Sequence, residues 1–237
     1  MGFIRQYGYY LFAILWTLIL GILSSPLLLL KQPYWVWKLS VFWERGLLWW
    51  LCQMVGVCYR ITGQEHLIKP PFVLAIKHQS AFETLLLSVN FFYPCVILKK
   101  ELLAIPIFGA YLKAADNIAI DRKSGGAAML SMVKIMKKQL AKKRVLIIFP
   151  EGTRSAVGKT RAYQSGVYMM SRLGVPVYPV ALNSGCFWQK NRFQKGIAEL
   201  AILPAMPQNL SKQDFLEILQ KKIESTTRRL EKNAMIK

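Results

Sequence analysis

Apolar positions dominate the first sixty residues of the chain. No charged side chain lies between Arg5 and Lys31, and the run of residues 7–30 is long enough to cross a bilayer as a helix. A second apolar run, residues 46–59, is too short to span comfortably. Aromatic residues cluster at the edges of both runs, as they do at membrane interfaces. The pattern predicts that residues 1–60 form helices that attach the protein to a membrane.

Three arrangements of this segment fit the pattern. One spanning helix followed by an interfacial helix satisfies it, and so do two helices that dip into one leaflet. A buried hairpin of a soluble protein is the third arrangement. The flanking charges nearly balance, with Arg5 before the long run and Lys31 and Lys38 after it, so they do not choose among the three.

Short apolar runs alternate with amphipathic stretches from residue 61 onward. Five runs are predicted strands: residues 72–76, 95–98, 145–149, 177–182 and 197–203. Three stretches are predicted helices: residues 124–144, 163–173 and 211–232. This alternation predicts an α/β layered core over residues 61–237. Within it, Pro179 suggests that the strand 177–182 lies at an edge or is irregular.

The part of the chain beyond residue 60 is strongly basic. The chain has 32 Lys and Arg against 12 Asp and Glu, a formal charge of +20, and residues 1–60 hold only five of the basic side chains. A basic body predicts anionic partners, namely lipid head groups, an acidic carrier protein or nucleic acid. No nucleic-acid-binding motif is recognisable among the basic residues, so we expect no nucleic acid partner. The charge also favours the cytoplasmic side of a membrane.

The four cysteines are scattered along the chain. They are Cys52, Cys58, Cys95 and Cys186, and no Cys-x-x-Cys pair occurs. This usage argues against a metal site and against a disulfide framework, and it fits a reducing compartment.

The first candidate for chemistry follows the predicted strand 72–76. His78 lies at the exit of that strand, and Glu83 lies five positions later. Positions five apart on a helix point about 140° apart, so the two side chains meet only if His78 precedes a helix and Glu83 lies in its first turn. The Ser80-x-x-Glu83 spacing predicts such a helix start.

A carboxylate bound to one imidazole nitrogen stabilises the cation that forms when the other nitrogen takes a proton. We therefore expect His78 and Glu83 to form a general-base pair. The alternative is a hydrogen-bonded loop histidine beside a glutamate that only caps the helix.

A second candidate site follows the predicted strand 145–149. Ligands bind at the carboxyl ends of strands in open α/β sheets, and arginine holds a phosphate with two parallel bonds. A glycine in the loop lets its backbone approach an anion. We therefore expect a phosphate monoester to be bound by the loop residues Glu151, Gly152, Thr153, Arg154 and Ser155. The alternative is a surface turn with an ion pair between Glu151 and Arg154.

Two further cations lie at the ends of apolar runs. Arg122 follows residues 118–120, and we expect it to be a second phosphate ligand, oriented by Asp121. Lys100 follows the predicted strand 95–98, and we expect it to add a positive charge near the same edge of the sheet. A surface ion pair at a strand end is the alternative for Arg122.

Four sequence blocks resemble a known family. In order they are His78-Gln-Ser-Ala-Phe-Glu83, Ile120-Asp-Arg122, Phe149-Pro-Glu-Gly-Thr-Arg-Ser155 and Val175-Pro-Val-Tyr-Pro-Val180. Their order and spacing resemble the glycerolipid acyltransferases, in particular the 1-acylglycerol-3-phosphate O-acyltransferases, over residues 63–203. The resemblance implies an acyltransferase-type core with a mixed sheet flanked by helices. It departs from the family at Glu83, where aspartate is usual.

The resemblance also implies roles for these blocks. His78 is the general base, Arg122 and the loop 151–154 hold the glycerol phosphate of the acceptor, and residues 175–180 shape the cleft. The implied reaction transfers an acyl group from acyl carrier protein or acyl-coenzyme A to the 2-hydroxyl of lysophosphatidic acid. It needs no metal and no cofactor beyond that thioester. The implied location is a membrane, with the catalytic domain on the cytoplasmic side of the inner membrane.

Two alternatives to this function remain open. The same site can acylate another lysolipid, such as a lyso-ornithine lipid or a lysophospholipid with a larger head group. A basic membrane-bound module that binds anionic lipid without catalysis is the other alternative.

Overall fold

The computed structural model describes residues 2–120, 125–189 and 192–236. The α-helices in these residues are α1 (Gly2–Leu23), α2 (Pro26–Leu29), α3 (Pro33–Trp50), α4 (Leu87–Asn90), α5 (Phe108–Ala114), α6 (Gly125–Ala141), α7 (Gly166–Ser171), α8 (Ser184–Phe187) and α9 (Lys212–Ile236). The strands are β1 (Val57–Thr62), β2 (Val73–Ile76), β3 (Cys95–Lys99), β4 (Ile118–Ile120), β5 (Leu146–Ile148), β6 (Val177–Leu182), β7 (Trp188–Gln189), β8 (Arg192–Phe193) and β9 (Gly196–Ile202).

Seven strands form one mixed sheet in the order β1-β9-β6-β2-β5-β3-β4. The five strands from β6 to β4 are parallel to one another, whereas β9 runs antiparallel to β6 and β1 pairs parallel with β9. The predicted mixed sheet flanked by helices is confirmed. Because five parallel strands end at one edge, the loops that follow them meet there.

The central strand β2 divides the core into two layers. Leu74 and Ile76 belong to one cluster, which includes Leu47 and Leu51 from the N-terminal segment. Val73 and Ala75 belong to the other, which includes Met136 of α6 and Phe215 and Leu219 of α9. Alternate residues of a strand point to opposite faces, so a continuous apolar run is required where both faces are covered.

The N-terminal helices α1 and α3 pack side by side. The Trp16 Nε1 donates a hydrogen bond to the Trp43 carbonyl at 3.1 Å, and the Trp43 Nε1 donates to Thr17 Oγ1 at 2.9 Å. Among the described residues, one stretch (Ile4–Leu23) has the length and apolar character needed to cross a bilayer, with a mean hydropathy of 1.5 and 11% of it buried. This exposed apolar helix favours association with a membrane.

The predicted boundary between residues 60 and 61 falls inside β1, which pairs with β9 through Thr62. The N-terminal helices also share the core of the sheet, since Tyr9 and Leu48 are buried in the same cluster as Leu74. The attachment segment and the α/β core are therefore joined by packing as well as by the chain.

The predicted edge position of Pro179 is wrong, because β6 lies between β9 and β2. Its carbonyl accepts a hydrogen bond from Leu203 N at 2.9 Å, one residue beyond the end of β9. The nitrogen and carbonyl of a strand residue point to the same side. The N–H that proline lacks would therefore point to the side of β9, at a position beyond the end of that strand, and not towards β2. No hydrogen bond between β6 and β2 is lost, which makes an interior proline tolerable.

The expectation of no disulfide is also wrong, because Cys52 and Cys58 are bonded with a Cα–Cα distance of 4.6 Å. Between them, Gly56 adopts a left-handed φ of +80°, which reverses the chain before β1 and brings the two cysteines together. The argument for a reducing compartment, which depended on unpaired cysteines, loses its support. Cys95 and Cys186 carry free thiols.

Candidate active site

The structure brings His78 and Glu83 together. His78 leaves the sheet two residues after β2, and Glu83 lies in the first turn of a short 3-10 helix, Phe82–Leu86. The His78 Nδ1 and Glu83 Oε1 are 2.8 Å apart. The imidazole stacks on the ring of Phe149, which follows β5, with ring centroids 4.1 Å apart. The imidazole is therefore held on one side by a carboxylate and on one face by an aromatic ring.

Four protein groups besides His78 donate hydrogen bonds to the Glu83 carboxylate. Oε1 accepts from the backbone N–H groups of Gln79 at 2.6 Å and Ser80 at 2.8 Å. Oε2 accepts from the hydroxyls of Ser80 at 2.7 Å and Ser184 at 2.6 Å. Glu83 thus contacts the start of its own helix and the histidine at the same time.

These bonds keep Glu83 ionised inside the protein. Burial alone would raise its pKa, but the hydrogen bond and charge of His78, with the bonds from Ser184 and Ser80, together lower the pKa below its ordinary value. An ionised carboxylate on Nδ1 accepts the Nδ1–H, which leaves Nε2 of His78 as the proton acceptor. The side chain of His78 is 14% exposed, so reagents can reach it. The pair therefore has the arrangement of a general base and its orienting acid.

A cavity of about 1460 Å³ opens beside His78. Its sheet-edge wall includes His78, Gly152, Thr153 and Arg154. Its helical wall is formed by side chains of α1 and α3, including Leu20, Trp43, Glu44 and Leu47. The cavity therefore joins a polar surface that carries a proton acceptor to a space lined mostly by apolar side chains of α1 and α3.

One buried acid, Glu44, lies in the helical wall. Its Oε2 accepts the backbone N–H groups of Ser88 at 2.9 Å and Val89 at 3.0 Å. Burial raises its pKa to about 8, an effect that a bond from the Ser88 hydroxyl and these two backbone bonds only partly offset. The protonated, neutral form of Glu44 therefore predominates at pH 7, which limits the charge in the apolar part of the cavity.

The loop after β5 divides its predicted site residues between two sides. Gly152 has a left-handed φ of +72°, and its N–H donates to the Phe149 carbonyl at 2.9 Å, so the loop turns sharply. This turn places Gly152, Thr153 and Arg154 on the cavity, where Arg154 is exposed. A guanidinium and a hydroxyl near His78 suit an anionic ligand.

Glu151 and Ser155 point away from the cavity and form hydrogen bonds with Lys77 and with the backbone of His78. The Glu151 Oε1 is 2.8 Å from Lys77 Nζ, and its Oε2 accepts the His78 N–H at 3.1 Å. The Ser155 N–H donates to the His78 carbonyl at 2.8 Å. The pairing of Glu151 with Lys77 replaces the ion pair with Arg154 that was the alternative. These two residues fix the backbone of His78.

Lys99 rather than Lys100 lines the cavity. Lys99 ends β3, and Lys100 begins the next turn with an exposed side chain. Neighbouring residues at a strand end point in different directions, which is why the sequence did not separate the two. Arg122 lies outside the described residues, although Ile120, the last residue of β4, lines the cavity.

Sequence reasoning missed several residues that hold this site. Lys77 is buried next to His78, and a charged residue straight after an apolar strand is a signal that could have revealed it. Ser184 follows β6 at the same sheet edge, but 101 residues separate it from Glu83 and no local pattern joins them. Gln79, Glu224 and Glu231 are likewise buried polar residues whose partners are far along the chain.

The chain matches a known family and known proteins. Residues 58–183 match the family described as Acyltransferase. A 1-acyl-sn-glycerol-3-phosphate acyltransferase of Pseudomonas aeruginosa is 38% identical over 168 residues, which are 69% of this chain and 65% of that protein. The protein of the same name from Saccharomyces cerevisiae is 27% identical over 71% of this chain and 58% of its own length. The matched region therefore covers less than two thirds of either relative.

A solved structure has the same fold. The crystal structure of the 1-acyl-sn-glycerophosphate (LPA) acyltransferase PlsC from Thermotoga maritima superposes with a TM-score of 0.75, covering 96% of each chain at 20% sequence identity. Because 96% of this chain is covered, the likeness includes at least part of the N-terminal helices. The region that matches the family contains His78, Glu83 and the loop 150–155, and this chain belongs to the acyltransferase family.

Proposed function

We propose that this protein transfers a fatty acyl group from a thioester to the 2-hydroxyl of 1-acylglycerol 3-phosphate, which gives phosphatidic acid. The observation that carries the proposal is the hydrogen-bonded pair of His78 and Glu83 at the wall of a cavity that also presents Arg154. The same cavity thus offers a proton acceptor, a cation for a phosphate and apolar space for acyl chains. The names of the two curated relatives support this choice of acceptor.

The proposed step uses groups with defined roles. His78 Nε2 takes the proton of the acceptor hydroxyl while its oxygen attacks the thioester carbonyl carbon. A carbon–oxygen bond forms and the carbon–sulfur bond breaks. The proton then passes from His78 to the departing thiolate, so the enzyme is regenerated. Glu83 stabilises the imidazolium between these two transfers.

The charges of the site fit the acceptor better than a neutral alcohol. Arg154 is exposed on the same wall as His78, and Thr153 adds a hydroxyl donor. An arginine and a hydroxyl bind a phosphate monoester through charge-assisted hydrogen bonds. We assign the backbone of Gly152 to the same phosphate-binding role, and Arg122 by its sequence position. Lys99, which lines the cavity, takes the role that the sequence suggested for Lys100. The thioester, on acyl carrier protein or coenzyme A, is the co-substrate, and the chemistry requires no further cofactor.

The apolar helix α1 suits an enzyme whose acceptor and product are both lipids. Residues 4–23 expose apolar side chains, and the helical wall of the cavity is built from α1 and α3. A lipid that enters from a leaflet keeps its chain out of water during the reaction. The proposal also puts the catalytic domain on the cytoplasmic face of the inner membrane, and the excess of basic residues beyond residue 60 supports this choice.

A product assay tests this function directly. The purified full chain is incubated with lysophosphatidic acid and with acyl carrier protein or coenzyme A thioesters, and products are identified by mass spectrometry. The proposal expects phosphatidic acid, and it expects much slower acylation of lyso-ornithine lipid and of lysophospholipids with larger head groups. Product formed only from those other acceptors would contradict the choice of acceptor, and no acylated product from any acceptor would contradict the activity.

A further inference from the structure

The C-terminal helix α9 presents two buried carboxylates to the active site. Glu224 and Glu231 are only 6% and 5% exposed, and α9 packs along β6 next to the sheet edge. Both residues lie outside the region that matches the family, residues 58–183. Carboxylates are seldom buried without a specific partner, so their contacts identify what they do.

Glu224 holds the residue that precedes His78. Its Oε1 is 2.7 Å from Lys77 Nζ, which also contacts Glu151 Oε1 at 2.8 Å and the Lys159 carbonyl at 3.3 Å. These three acceptors use all three N–H donors of a fully buried ammonium group. Glu151 in turn accepts the backbone N–H of His78. Glu224 is therefore connected to the His78 backbone through Lys77 and Glu151.

Two hydroxyls fix the orientation of Glu224 itself. The Tyr163 hydroxyl donates to its Oε1 at 3.1 Å, and the Thr160 hydroxyl donates to its Oε2 at 3.2 Å. Burial and the nearby carboxylates of Glu224 and Glu151 raise the pKa of Tyr163, so its hydroxyl remains a donor. The carboxylate is thus held in one position before it meets Lys77.

Glu231 holds the residue that follows His78. Its Oε1 accepts from Gln79 Nε2 at 2.6 Å and from the Gly158 N–H at 3.3 Å. The Gln79 Oε1 accepts the Gly185 N–H at 3.1 Å, so both ends of this amide are engaged. The backbone N–H of Gln79 donates to Glu83 at 2.6 Å. Glu231 is therefore connected to the acid of the pair through one residue.

We propose that Glu224 and Glu231 are positioning residues for His78. They hold Lys77 and Gln79, the two neighbours of the histidine, and so set its ring against Glu83. The inference depends on the proposed function, because it assigns the fixed geometry to acyl transfer. It places part of the active site's support on a helix that begins 29 residues after the region matching the family ends. A misplaced general base slows chemistry more than it weakens substrate binding.

The test compares three conservative substitutions in the purified full chain. Glu224→Gln and Glu231→Gln each remove a buried carboxylate of α9, and Glu217→Gln makes the same change at an exposed position of that helix. We expect each buried substitution to lower kcat by about tenfold or more, with both KM values changed by less than about twofold. Glu217→Gln should leave both parameters unchanged.

A second readout separates positioning from a loss of folded protein. All rates are divided by the folded fraction, measured by near-ultraviolet circular dichroism well below the melting temperature. The proton resonance of the His78 Nδ1–H bond, assigned by its loss in His78→Ala, should shift or weaken in Glu224→Gln and Glu231→Gln. If Glu224→Gln does not fold, Glu231→Gln decides, because its carboxylate binds two neutral groups rather than a buried cation.

Three results would overturn one or the other of two statements. Wild-type kcat per folded molecule and an unshifted His78 resonance in the decisive variant would remove α9 from the site. An increase in KM without a decrease in kcat would do the same. Wild-type activity of His78→Ala, in contrast, would overturn the proposed function itself.

Discussion

Two buried glutamates near the same cavity have pKa values that are shifted in opposite directions. Glu83, which is hydrogen-bonded to His78 of the sheet-edge wall, has a lowered pKa, although burial opposes its ionisation. Glu44, in the helical wall, has a pKa raised to about 8 by burial. Both are nearly inaccessible, with exposed fractions of 0% and 4%. Burial is thus common to both, and it does not decide which of them carries a charge.

The difference lies in the donors around each carboxylate. Glu83 accepts two backbone N–H groups, two hydroxyls and the imidazole of His78, whereas Glu44 accepts two backbone N–H groups and a bond from the Ser88 hydroxyl. The donors of Glu83 lie in the segments that follow β2 and β6, and they include the imidazole of His78, which can carry a positive charge. The donors of Glu44 are all uncharged. Glu83 can therefore stabilise the protonated form of His78 at the sheet-edge wall, while the helical wall remains mostly neutral and suited to hydrocarbon.

The largest expected effect comes from removing the negative charge of Glu83 beside His78. Glu83→Gln keeps the size of the side chain but loses the carboxylate that stabilises the imidazolium. We expect kcat to fall by about 10²- to 10⁴-fold, which steady-state assays with purified protein measure. Glu217→Gln, an equal change on the exposed face of α9, is the control. A wild-type kcat in Glu83→Gln would show that the charge of Glu83 does not matter to the reaction.

The next effect concerns stability and arises from Glu44. Its folded pKa is raised from 4.5 to about 8, so its contribution is fully present below pH 4.5 and is lost as the pH rises through about 8. The unfolding free energy of the wild type should fall over this window by roughly 3 to 5 kcal/mol more than that of Glu44→Gln.

Denaturant titrations of the two proteins in detergent, at several pH values, measure this difference. The advantage of Glu44→Gln should grow from pH 5 to pH 8 and then level off. A difference between the two proteins that does not depend on pH would mean that Glu44 ionises normally, and the contrast with Glu83 would disappear.

A smaller effect is expected from removing the guanidinium of Arg154 from the sheet-edge wall. Arg154→Ala removes a charged donor to the phosphate of the acceptor, so the KM for lysophosphatidic acid should rise by about ten- to a hundred-fold. Initial-rate measurements at a saturating thioester concentration give this value. The KM for the thioester serves as the internal control, since Arg154 has no assigned contact with it. An unchanged KM for lysophosphatidic acid would remove Arg154 from the phosphate site.

The smallest expected effect tests the helical wall. Trp43→Phe removes the indole N–H that donates to Thr17 between α3 and α1, while it keeps most of the apolar ring. The loss of one neutral hydrogen bond should lower the unfolding free energy by about 1 kcal/mol. Chemical denaturation in detergent measures it, and a loss of several kcal/mol would mean that this bond is central to how the two helices pair.

Local patterns were sufficient to predict much of the core. The predicted strand 177–182 coincides with β6, and the predicted strand 72–76 contains β2, because continuous apolar runs are what a strand buried on both faces requires. The pairing of His78 with Glu83 was likewise predictable from the sequence, because both residues lie within seven positions after the end of β2. The 3-10 form of the helix Phe82–Leu86 was not, because it depends on the groups that surround Glu83.

Long-range contacts account for what the sequence did not reveal. Glu224 meets Lys77 across 147 positions, and no periodicity links them. The antiparallel entry of β9 beside β6, which places Pro179 inside the sheet, is also a pairing between distant segments. The disulfide of Cys52 and Cys58 depends on a left-handed turn at Gly56, which a count of cysteines does not indicate.

The central claim is that His78 takes the proton of the acceptor hydroxyl, and its most direct test is the rate at which His78→Ala forms phosphatidic acid. Folding of the variant is checked by its melting temperature in the same detergent. We expect a folded His78→Ala to form product at least about 10²-fold more slowly than the wild type. Product formation at the wild-type rate by the folded variant would contradict it.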